Sequence, residues 1–386
     1  MERIRGTPDF LLLFLTLLLV GFGVLMVFSS SQIISYTDHG DPLYFTKKQL
    51  LWAGIGLLGM FIAMNLPYTF YKRLYALFGI GSLLFLFTVF IPGLGTVRNG
   101  ARGWIDLGSM TIQPAEFAKV GLILYLAAMI SKKGEKIRDF RRGFLPLIIM
   151  TALFAGVILL QNDFGTAALL LGTAVMVMFT GGVRVHHLMI FFLAAAPLLL
   201  IYIFTGDHRI RRFTSFLNPW QDPSDSGYHL IQSLYAIGHG RLFGVGLGQS
   251  IQKFHYLPYP QTDFIFSIIA EELGFIGILI FLLLYIGLLW RALLLSLKAK
   301  DLFANLVGVG VVSGIAIQVL INIGGVTGSI PITGVPLPLI SYGGSSLLIT
   351  LLSIGIVLSI SREVSKTERE KSAKEGLLPH QRYNKA

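Results

Sequence analysis

The side chains most able to do chemistry in this chain are ionisable residues placed within or beside long apolar segments. A charge inside an apolar layer is costly, so each such residue is a functional candidate. The candidates are Glu116, Lys119, Asp163, Asp263, Glu271 and Glu272.

Asp263 has the most informative surroundings. It follows a segment in which Pro258 and Pro260 favour extended backbone and stop any helix. Thr262 or Asp263 then begins an apolar segment. A carboxylate at that boundary is placed to act as a general base or to cap the helix, and composition alone leaves both interpretations open.

The other ionisable candidates have structural interpretations of their own. The i,i+3 spacing of Glu116 and Lys119 puts them on one helix face, where they could form an ion pair or line a polar cavity. Asp163 follows a polar turn and could cap the next helix. Glu271 and Glu272 need partners at membrane depth, and we expect Lys119, an outer arginine or backbone dipoles to serve.

A glycine-rich stretch, 238–250, lacks the Gly-Lys-Ser/Thr of a P-loop and the strand context of a dinucleotide site. Its glycines permit backbone N–H groups to approach an anion, with Arg241 and Lys253 beside them. They could equally form a compact loop packed at the membrane surface. The small residues 343–346 are expected to allow close helix packing. The chain has no cysteine, and no His/Glu cluster has zinc spacing.

The composition indicates that a helical membrane protein positions these residues. Of 386 residues, 54% are hydrophobic and 13% are charged, and the mean hydropathy is +0.72. These values exclude a soluble enzyme, a disordered chain and a coiled coil. We predict an all-α, polytopic membrane domain over 1–361, with a polar loop from 28–31 onward, and a basic tail over 362–386. Its ten predicted transmembrane helices lie near 10–30, 49–66, 74–92, 114–131, 144–161, 165–181, 186–205, 263–290, 303–328 and 335–360.

The distribution of basic residues predicts the orientation. Most of the 31 lysines and arginines lie in connecting segments on the same side as both termini, which places the termini in the cytoplasm. The long connection 206–262 is then extracytoplasmic, and its many aromatic residues argue against disorder. The net charge of +11 reflects topology rather than nucleic-acid binding, because no aromatic residues are regularly interleaved with the basic ones.

Nine stretches, in order along nearly the whole chain, carry a family resemblance. They are Asn99-Gly-Ala-Arg-Gly-Trp104, Gln113-Pro-Ala-Glu-Phe-Ala-Lys119, Phe216-Leu-Asn-Pro219, Gln232-Ser-Leu-Tyr-Ala-Ile-Gly238, Gln252-Lys253, Tyr256-Leu-Pro258, Gln261-Thr-Asp-Phe-Ile-Phe266, Ala270-Glu-Glu-Leu-Gly274 and Pro338-Leu-Ile-Ser-Tyr-Gly-Gly-Ser-Ser346. As a set they resemble the SEDS family (shape, elongation, division and sporulation), which includes FtsW, RodA and SpoVE. Pro8-Asp9-Phe10 and Phe28-Ser-Ser-Ser31 are closer to its division and sporulation branch.

The resemblance implies a peptidoglycan glycosyltransferase that polymerises lipid II at the outer face of the bacterial cytoplasmic membrane, with undecaprenyl diphosphate as leaving group. It implies that Asp263 is the essential aspartate, which we expect to act as general base while cations stabilise the leaving diphosphate. The expected substrate-binding residues are Arg102, Arg209, Arg212, Lys253, Gln252, Thr262 and Ser341.

The resemblance also implies a class B penicillin-binding protein as transpeptidase partner, with other division, elongation or sporulation proteins. A divalent cation, Mg²⁺ or Mn²⁺, could assist, although no ligand set for it is evident. The chain departs from its relatives at His255, Tyr259, Gln261 and Thr333, so an additional acid or cation is unassigned.

Two other functions stay open at this stage. One is a lipid II flippase, in which the intramembrane acids and Lys119 would line a polar path. The other is a non-catalytic scaffold of a division or sporulation complex, which would need none of these groups.

Overall fold

The computed structural model describes residues 6–98, 100–108, 110–204 and 207–374. Asn99 of the first family-like stretch and residues 375–386 of the predicted tail lie outside this range. The side chains of Arg209 and Arg212 also lie outside the described residues.

The described residues are mostly helical. The α-helices are α1 (Phe10–His39), α2 (Tyr44–Asn65), α3 (Tyr68–Arg73), α4 (Tyr75–Phe87), α5 (Pro114–Lys133), α6 (Leu145–Leu160), α7 (Phe164–Thr180), α8 (Val185–Phe204), α9 (Asp207–Leu217), α10 (Tyr228–His239), α11 (Ile265–Leu297), α12 (Leu302–Val326) and α13 (Gly344–Lys374). Single turns of 3₁₀ or π helix at Thr88–Phe90, Gly134–Arg138, Phe140–Phe144 and Pro219–Gln221 complete the helical content.

A small antiparallel sheet corrects the all-α prediction. Strands β1 (Gly95–Arg98), β2 (Ala101–Asp106) and β3 (Thr111–Ile112) lie between α4 and α5 in the order β1-β2-β3. Trp104 faces Thr96 in the register, and Ile105 lies between Gly95 and Ile112. The segment is short and rich in glycine and charged residues, so the membrane-scale hydropathy that revealed the helices could not reveal it.

Six helical segments of the described chain are long and apolar enough to cross a membrane. They begin at Phe10, Pro114, Phe140, Ile265, Leu302 and Gly344. Shorter apolar helices are Tyr75–Phe90, Phe164–Thr180 and Val185–Pro197. This set shows a helical membrane fold, while the number of ten spans stays a prediction.

Two predicted helix ends were wrong. α1 does not end in a polar loop at 28–31 but continues to His39, with Ser29, Ser30 and Ser31 buried inside it. α13 begins at Gly344 rather than near 335, because residues 331–343 form irregular backbone that packs inside the protein. At both helix ends, polar side chains that are buried inside the protein decide whether the backbone is helical, and hydropathy does not detect them.

The helices pack around two apolar cores that share α12 and α13. One core joins these helices to α1, α2 and α11, and the other joins them to α5, α6 and α7. At one end of the bundle, Arg291 pairs with Asp9 at 2.6 Å and Lys72 pairs with Asp301 at 2.7 Å. Asp9 and Asp301 also cap the N-termini of α1 and α12. Ion pairs and helix caps therefore both stabilise this end of the bundle.

The connection 206–262 is largely structured. Helices α9 and α10 occupy its first half, and the glycine-rich stretch after α10 packs against α11. α11 is broken at Gly274, whose φ of 68° and ψ of −171° are not helical. The glycines therefore form a compact loop that packs against α11.

The break in α11 is filled by backbone from residues 241–246, which we call the wedge loop. The N–H groups of Phe275 and Ile276 donate to the carbonyls of Arg241 and Leu242 at 2.9 and 3.1 Å. In the opposite direction, the N–H groups of 245 and 246 donate to the carbonyls of 271 and 272, both at 3.0 Å. The wedge loop thus provides partners for two N–H groups and two carbonyls of the helix at the break.

Gly244 is one position where this close approach requires glycine. A Cβ there would lie 2.2 Å from the carbonyl oxygen of Glu272, and its φ is +79°. Gly248 has the same φ of +79° but nothing within 4 Å of its Cβ position. Comparing alanine substitutions at Gly244 and Gly248 therefore distinguishes the cost of a steric clash from the cost of backbone strain.

We predict that Gly244→Ala lowers the thermal unfolding midpoint in detergent much more than Gly248→Ala does. Gly248→Ala should cost only the strain of a left-handed alanine, about 1–2 kcal/mol. Gly244→Ala adds a clash between the new Cβ and the Glu272 carbonyl, so the wedge loop must move away from α11 and lose its hydrogen bonds to the helix. Equal shifts for the two variants would show that the loop does not contact the helix this closely.

Candidate active site

Three consecutive carbonyl groups hold the backbone at Asp263. The carbonyl of Gln261 accepts from the Tyr342 N–H at 2.8 Å, and that of Thr262 accepts from Ser341 Oγ at 2.7 Å. The carbonyl of Asp263 accepts from Asn322 Nδ2 at 2.9 Å. The irregular backbone of residues 261–263 is therefore held at each residue. Two of its carbonyls bond to the segment that precedes α13, and the third bonds to α12.

Asp263 is half-buried and lies one residue before Phe264, the N-cap residue of α11. A Cβ on Gly334 would lie 3.5 Å from Asp263 Oδ2. The carboxylate therefore faces a backbone position that carries no side chain, which leaves room beside it.

Residues 331–343, which we call the core segment, connect this site to the rest of the bundle. Asn322 Nδ2 also donates to the Val335 carbonyl at 2.8 Å, and Gln318 Nε2 donates to the Pro336 carbonyl at 2.9 Å. Gln49 Nε2 donates to the Ser341 carbonyl at 3.2 Å. The core segment thus receives side-chain hydrogen bonds from α2 and α12 while it supports Asp263.

Lys253 is not available to a substrate, which corrects its expected role. It is 2% exposed, and its Nζ lies 3.0 Å from Glu272 Oε1. Ser29 Oγ donates to the same carboxylate at 2.7 Å. The prediction that Lys119 or an arginine would pair with Glu272 was therefore wrong, because α1 and the connection before α11 supply its partners.

Glu271 holds the other side of the same connection. Its carboxylate lies 2.9 Å from His239 Nδ1, accepts from the Ile251 N–H at 3.0 Å, and also bonds to Ser250 Oγ. The backbone N–H of Gln252 adds a longer bond of 3.4 Å. Backbone groups were among the partners predicted for Glu271, and they are present. The two adjacent acids thus fix the chain between α10 and Lys253.

Glu116 and Lys119 form the predicted ion pair, with Nζ and Oε2 2.7 Å apart. Lys119 also donates to Gln318 Oε1 at 2.9 Å, which links the pair to the core segment. Asp163 is the predicted cap of α7 and accepts from the Thr166 N–H at 2.9 Å and from Gln113 Nε2 at 3.2 Å. Burial raises the pKa of the Asp163 carboxyl, and the bonds from Thr166 oppose that shift.

Three further residues were expected to contact the substrate: Arg102, Thr262 and Ser341. Arg102 lies on β2, where its N–H donates to the Gln161 carbonyl at 2.8 Å. Its buried Nε has no hydrogen-bond partner among the residues that the structure describes. Thr262 Oγ1 donates to the Tyr259 carbonyl at 3.1 Å, and Ser341 is 4% exposed. Ser341 therefore supports the site backbone rather than facing outward.

The side chains around Asp263 do not form a preformed metal cage. Among the residues that the structure describes, no group of three or more His, Cys, Asp or Glu side chains could hold a metal ion.

Comparison with known proteins identifies the family. Residues 10–366 match the family model FTSW_RODA_SPOVE, described as "Cell cycle protein". The chain belongs to the FtsW/RodA/SpoVE family. It is 47% identical over 358 residues to "Stage V sporulation protein E" of Bacillus subtilis (strain 168), covering 93% of this chain and 98% of that protein.

Other members of the FtsW/RodA/SpoVE family are also similar over nearly their full lengths. The "Probable peptidoglycan glycosyltransferase FtsW" of Geobacter sp. (strain M18) is 38% identical, covering 94% of this chain and 98% of that protein. The crystal structure of Thermus thermophilus rod shape determining protein RodA matches with a TM-score of 0.69 and 31% identity, covering 92% and 97% of the two chains.

A second solved structure was reported under the description "Structural coordination of polymerization and crosslinking by a peptidoglycan synthase complex". One of its chains matches with a TM-score of 0.77 and 31% identity, covering 92% of this chain and 98% of that chain. The FtsW/RodA/SpoVE fold is therefore present here in a helical membrane protein.

Two residues of this site were missed in the sequence. Asn322 lies four residues after Gln318 in an apolar helix, and this i,i+4 polar pair was the available signal. Ser29 had a weaker signal, since serine is common in transmembrane helices without a distant partner.

We predict that Asn322→Leu loosens the backbone at 261–264, because the substitution removes both hydrogen bonds at nearly constant volume. Hydrogen exchange followed by mass spectrometry should show faster exchange in peptides that contain Thr262 to Phe264. Asn305→Leu is the matched control, since Asn305 lies near the other end of α12 and bonds to the Ser296 carbonyl at 3.2 Å. The same acceleration in both variants would contradict a local role for Asn322.

We predict that Lys253→Met destabilises the protein by about 3–5 kcal/mol, because it leaves a buried carboxylate uncompensated. Adding Glu272→Gln should recover most of the loss, since the charge is then removed as well. The free energy of unfolding in mixed micelles measures both changes. Lys47→Met breaks an exposed pair with Asp41 and should change stability little. If the double variant is no more stable than Lys253→Met alone, the pair is not coupled.

Proposed function

We propose that this chain is a peptidoglycan glycosyltransferase that polymerises lipid II, with Asp263 as its general base. The names of its relatives support the activity, and the anchored backbone at 261–263 supports the residue. A catalytic base must hold its position within hydrogen-bond reach of the hydroxyl that it deprotonates. The three consecutive bonded carbonyls are the observation that carries this proposal.

The proposed reaction is a direct displacement. The 4-hydroxyl of the acceptor GlcNAc attacks the anomeric carbon of the lipid-linked glycan strand, and Asp263 accepts the hydroxyl proton. The new bond joins the acceptor oxygen to that carbon, while the bond to undecaprenyl diphosphate breaks. Attack from the opposite face inverts the anomeric centre and gives a β-1,4 linkage.

The proposed orientation has ten spans, cytoplasmic termini, and Asp263 at the outer face of the cytoplasmic membrane. Ser29, Glu272 and Asn322 each lie about 28–32 Å along their helices from the end that carries the Asp9–Arg291 and Lys72–Asp301 pairs. That length equals the thickness of the hydrocarbon core. The polar residues around Asp263 therefore share one depth, at the boundary opposite the termini.

The leaving diphosphate requires positive charge, and the arginines on this side are the proposed source. Arg102 has a buried Nε without a hydrogen-bond partner, while Arg209 and Arg212 belong to α9. Gln252 and Thr262 are proposed to contact the sugar. A divalent cation, Mg²⁺ or Mn²⁺, would supply further charge to the diphosphate.

A flippase fits the interior less well than a polymerase does. Two small internal spaces adjoin Lys119. One is lined mostly by apolar residues, and the other adds the neutral polar residues Gln318, Thr350 and Ser353, so that Lys119 is the one charged residue, among those that the structure describes, in either lining. Moving a diphosphate through the membrane requires polar groups along the whole path. A scaffold alone would not require the anchored carboxylate at Asp263.

We further propose a class B penicillin-binding protein as partner, because the chain's structural neighbour was solved in a peptidoglycan synthase complex. Polymerisation by this chain would then supply glycan for crosslinking by the partner. Other division, elongation or sporulation proteins would assemble with the pair.

We predict that Asp263→Asn lowers lipid II polymerisation by roughly 10²–10⁴-fold, the range expected when a general base is lost. The measurement is the yield of glycan strands from purified protein and lipid II, with and without a transpeptidase partner. Asp38→Asn makes the same chemical change at an exposed position of α1 and should keep full activity. Normal polymerisation by Asp263→Asn would exclude this residue as the base.

A further inference from the structure

Exposed apolar side chains cluster where the wedge loop meets α11. Leu242 is 59% exposed and Phe243 is 78% exposed, the latter in irregular backbone. Phe275 and Ile276, bonded to the wedge loop through their backbone, are 58% and 42% exposed. We call these four residues the wedge patch. So much exposed apolar surface in one place requires an occupant.

The depth of the wedge patch can be derived from α11. Trp290 is 61% exposed and precedes Arg291, the partner of Asp9, as expected for a residue at the membrane boundary. The helix from Phe275 to Arg291 spans about 24 Å at 1.5 Å per residue. This distance is shorter than the roughly 30 Å of the hydrocarbon core. The wedge patch therefore lies inside the apolar layer, near its far boundary.

Irregular backbone at this depth must have its polar groups satisfied within the protein. The four hydrogen bonds that fill the break in α11 satisfy the carbonyls of Arg241 and Leu242 and the N–H groups of Val245 and Gly246, and the Gly244 N–H donates to the Gly240 carbonyl at 2.7 Å. The loop can therefore present side chains to hydrocarbon without exposing unpaired backbone at those positions.

The surroundings of the wedge patch match lipid in two further respects. The apolar surface continues along the same helix through Leu279 and Ile280, which are 47% and 55% exposed. The chain from Gly240 to Pro258 contains no acidic residue, while Arg241 is exposed at the start of the wedge loop. A cation beside an apolar patch is suited to lipid phosphates at the edge of the bilayer.

We propose that the wedge loop is inserted in the outer leaflet, with the wedge patch in direct contact with lipid acyl chains. The proposal deepens the proposed function by placing the connection that leads to Asp263 in the leaflet that holds lipid-linked substrates. The side of the membrane follows from the proposed orientation, whereas the depth follows from α11 alone.

The absence of cysteine in the chain allows a direct test with single-cysteine spin labels. Phe243→Cys and Leu242→Cys are each labelled with a nitroxide in liposomes of phosphatidylglycerol and phosphatidylethanolamine. Collision with oxygen, which is concentrated in lipid, is compared with collision with a water-soluble nickel chelate. Leu283→Cys, 58% exposed and about 12 Å along the helix from Arg291, is the lipid control. Asp38→Cys, about 43 Å along α1 from Asp9, is the aqueous control.

The expected oxygen-to-nickel ratio at Phe243→Cys and Leu242→Cys is several-fold higher than at Asp38→Cys and close to that at Leu283→Cys. A ratio equal to that of Asp38→Cys would overturn the proposal. Labels that are exposed to nickel in the protein alone, and shielded only after a transpeptidase is added, would show instead a protein docking surface.

Failure of the polymerase proposal is distinguishable from failure of this one. The same ratios are measured in the Asp263→Asn chain, where catalysis is not needed for the readout. If the ratios are lipid-like but the chain with Asp263 intact does not polymerise lipid II, the inserted loop is supported and the polymerase proposal is contradicted. If the chain with Asp263 intact polymerises lipid II but the ratios are water-like, the polymerase proposal stands and the inserted loop is contradicted.

Discussion

A helix inside a bilayer must satisfy its own backbone, and α11 meets this requirement at Gly274 only with help from residues 241–246. The wedge loop accepts from two N–H groups of the helix and donates to two of its carbonyls. This exchange demands close backbone contact, which explains the glycine at 244. It also fixes where the connection after α10 must lie, and therefore how the chain reaches Asp263.

The acids at the break extend this constraint to the rest of the site. Glu271 holds the connection through Ser250 and the Ile251 N–H, while Glu272 holds Lys253 and Ser29. Glu271 and Glu272 contact residues that are distant in the sequence, and both acids lie within three residues of the break at Gly274. A buried pair of this kind contributes little net stability over an apolar one, but it disfavours other arrangements of the connection. We interpret both acids as positioning residues.

Local patterns in the sequence predicted local structure well. Hydropathy located the apolar helices of the bundle, spacing predicted the Glu116–Lys119 pair, and the polar turn predicted the Asp163 cap. The partners of Glu272 could not be predicted, because Ser29 is more than two hundred residues away in the chain. Residues 335–343 of the core segment were predicted as helix because they are apolar, whereas three of their carbonyls accept hydrogen bonds from side chains of α2 and α12.

Asp263 is held by contacts on both sides of the break in α11. Its backbone is held by Asn322 and by the core segment, and the preceding connection is held to α1 through Lys253 and Glu272. The part of α11 below the break, from Phe275 onward, is joined to the same unit by the wedge loop and by Tyr285, whose hydroxyl donates to the Pro338 carbonyl of the core segment. The break therefore interrupts the helix without detaching its lower part from the residues that position Asp263.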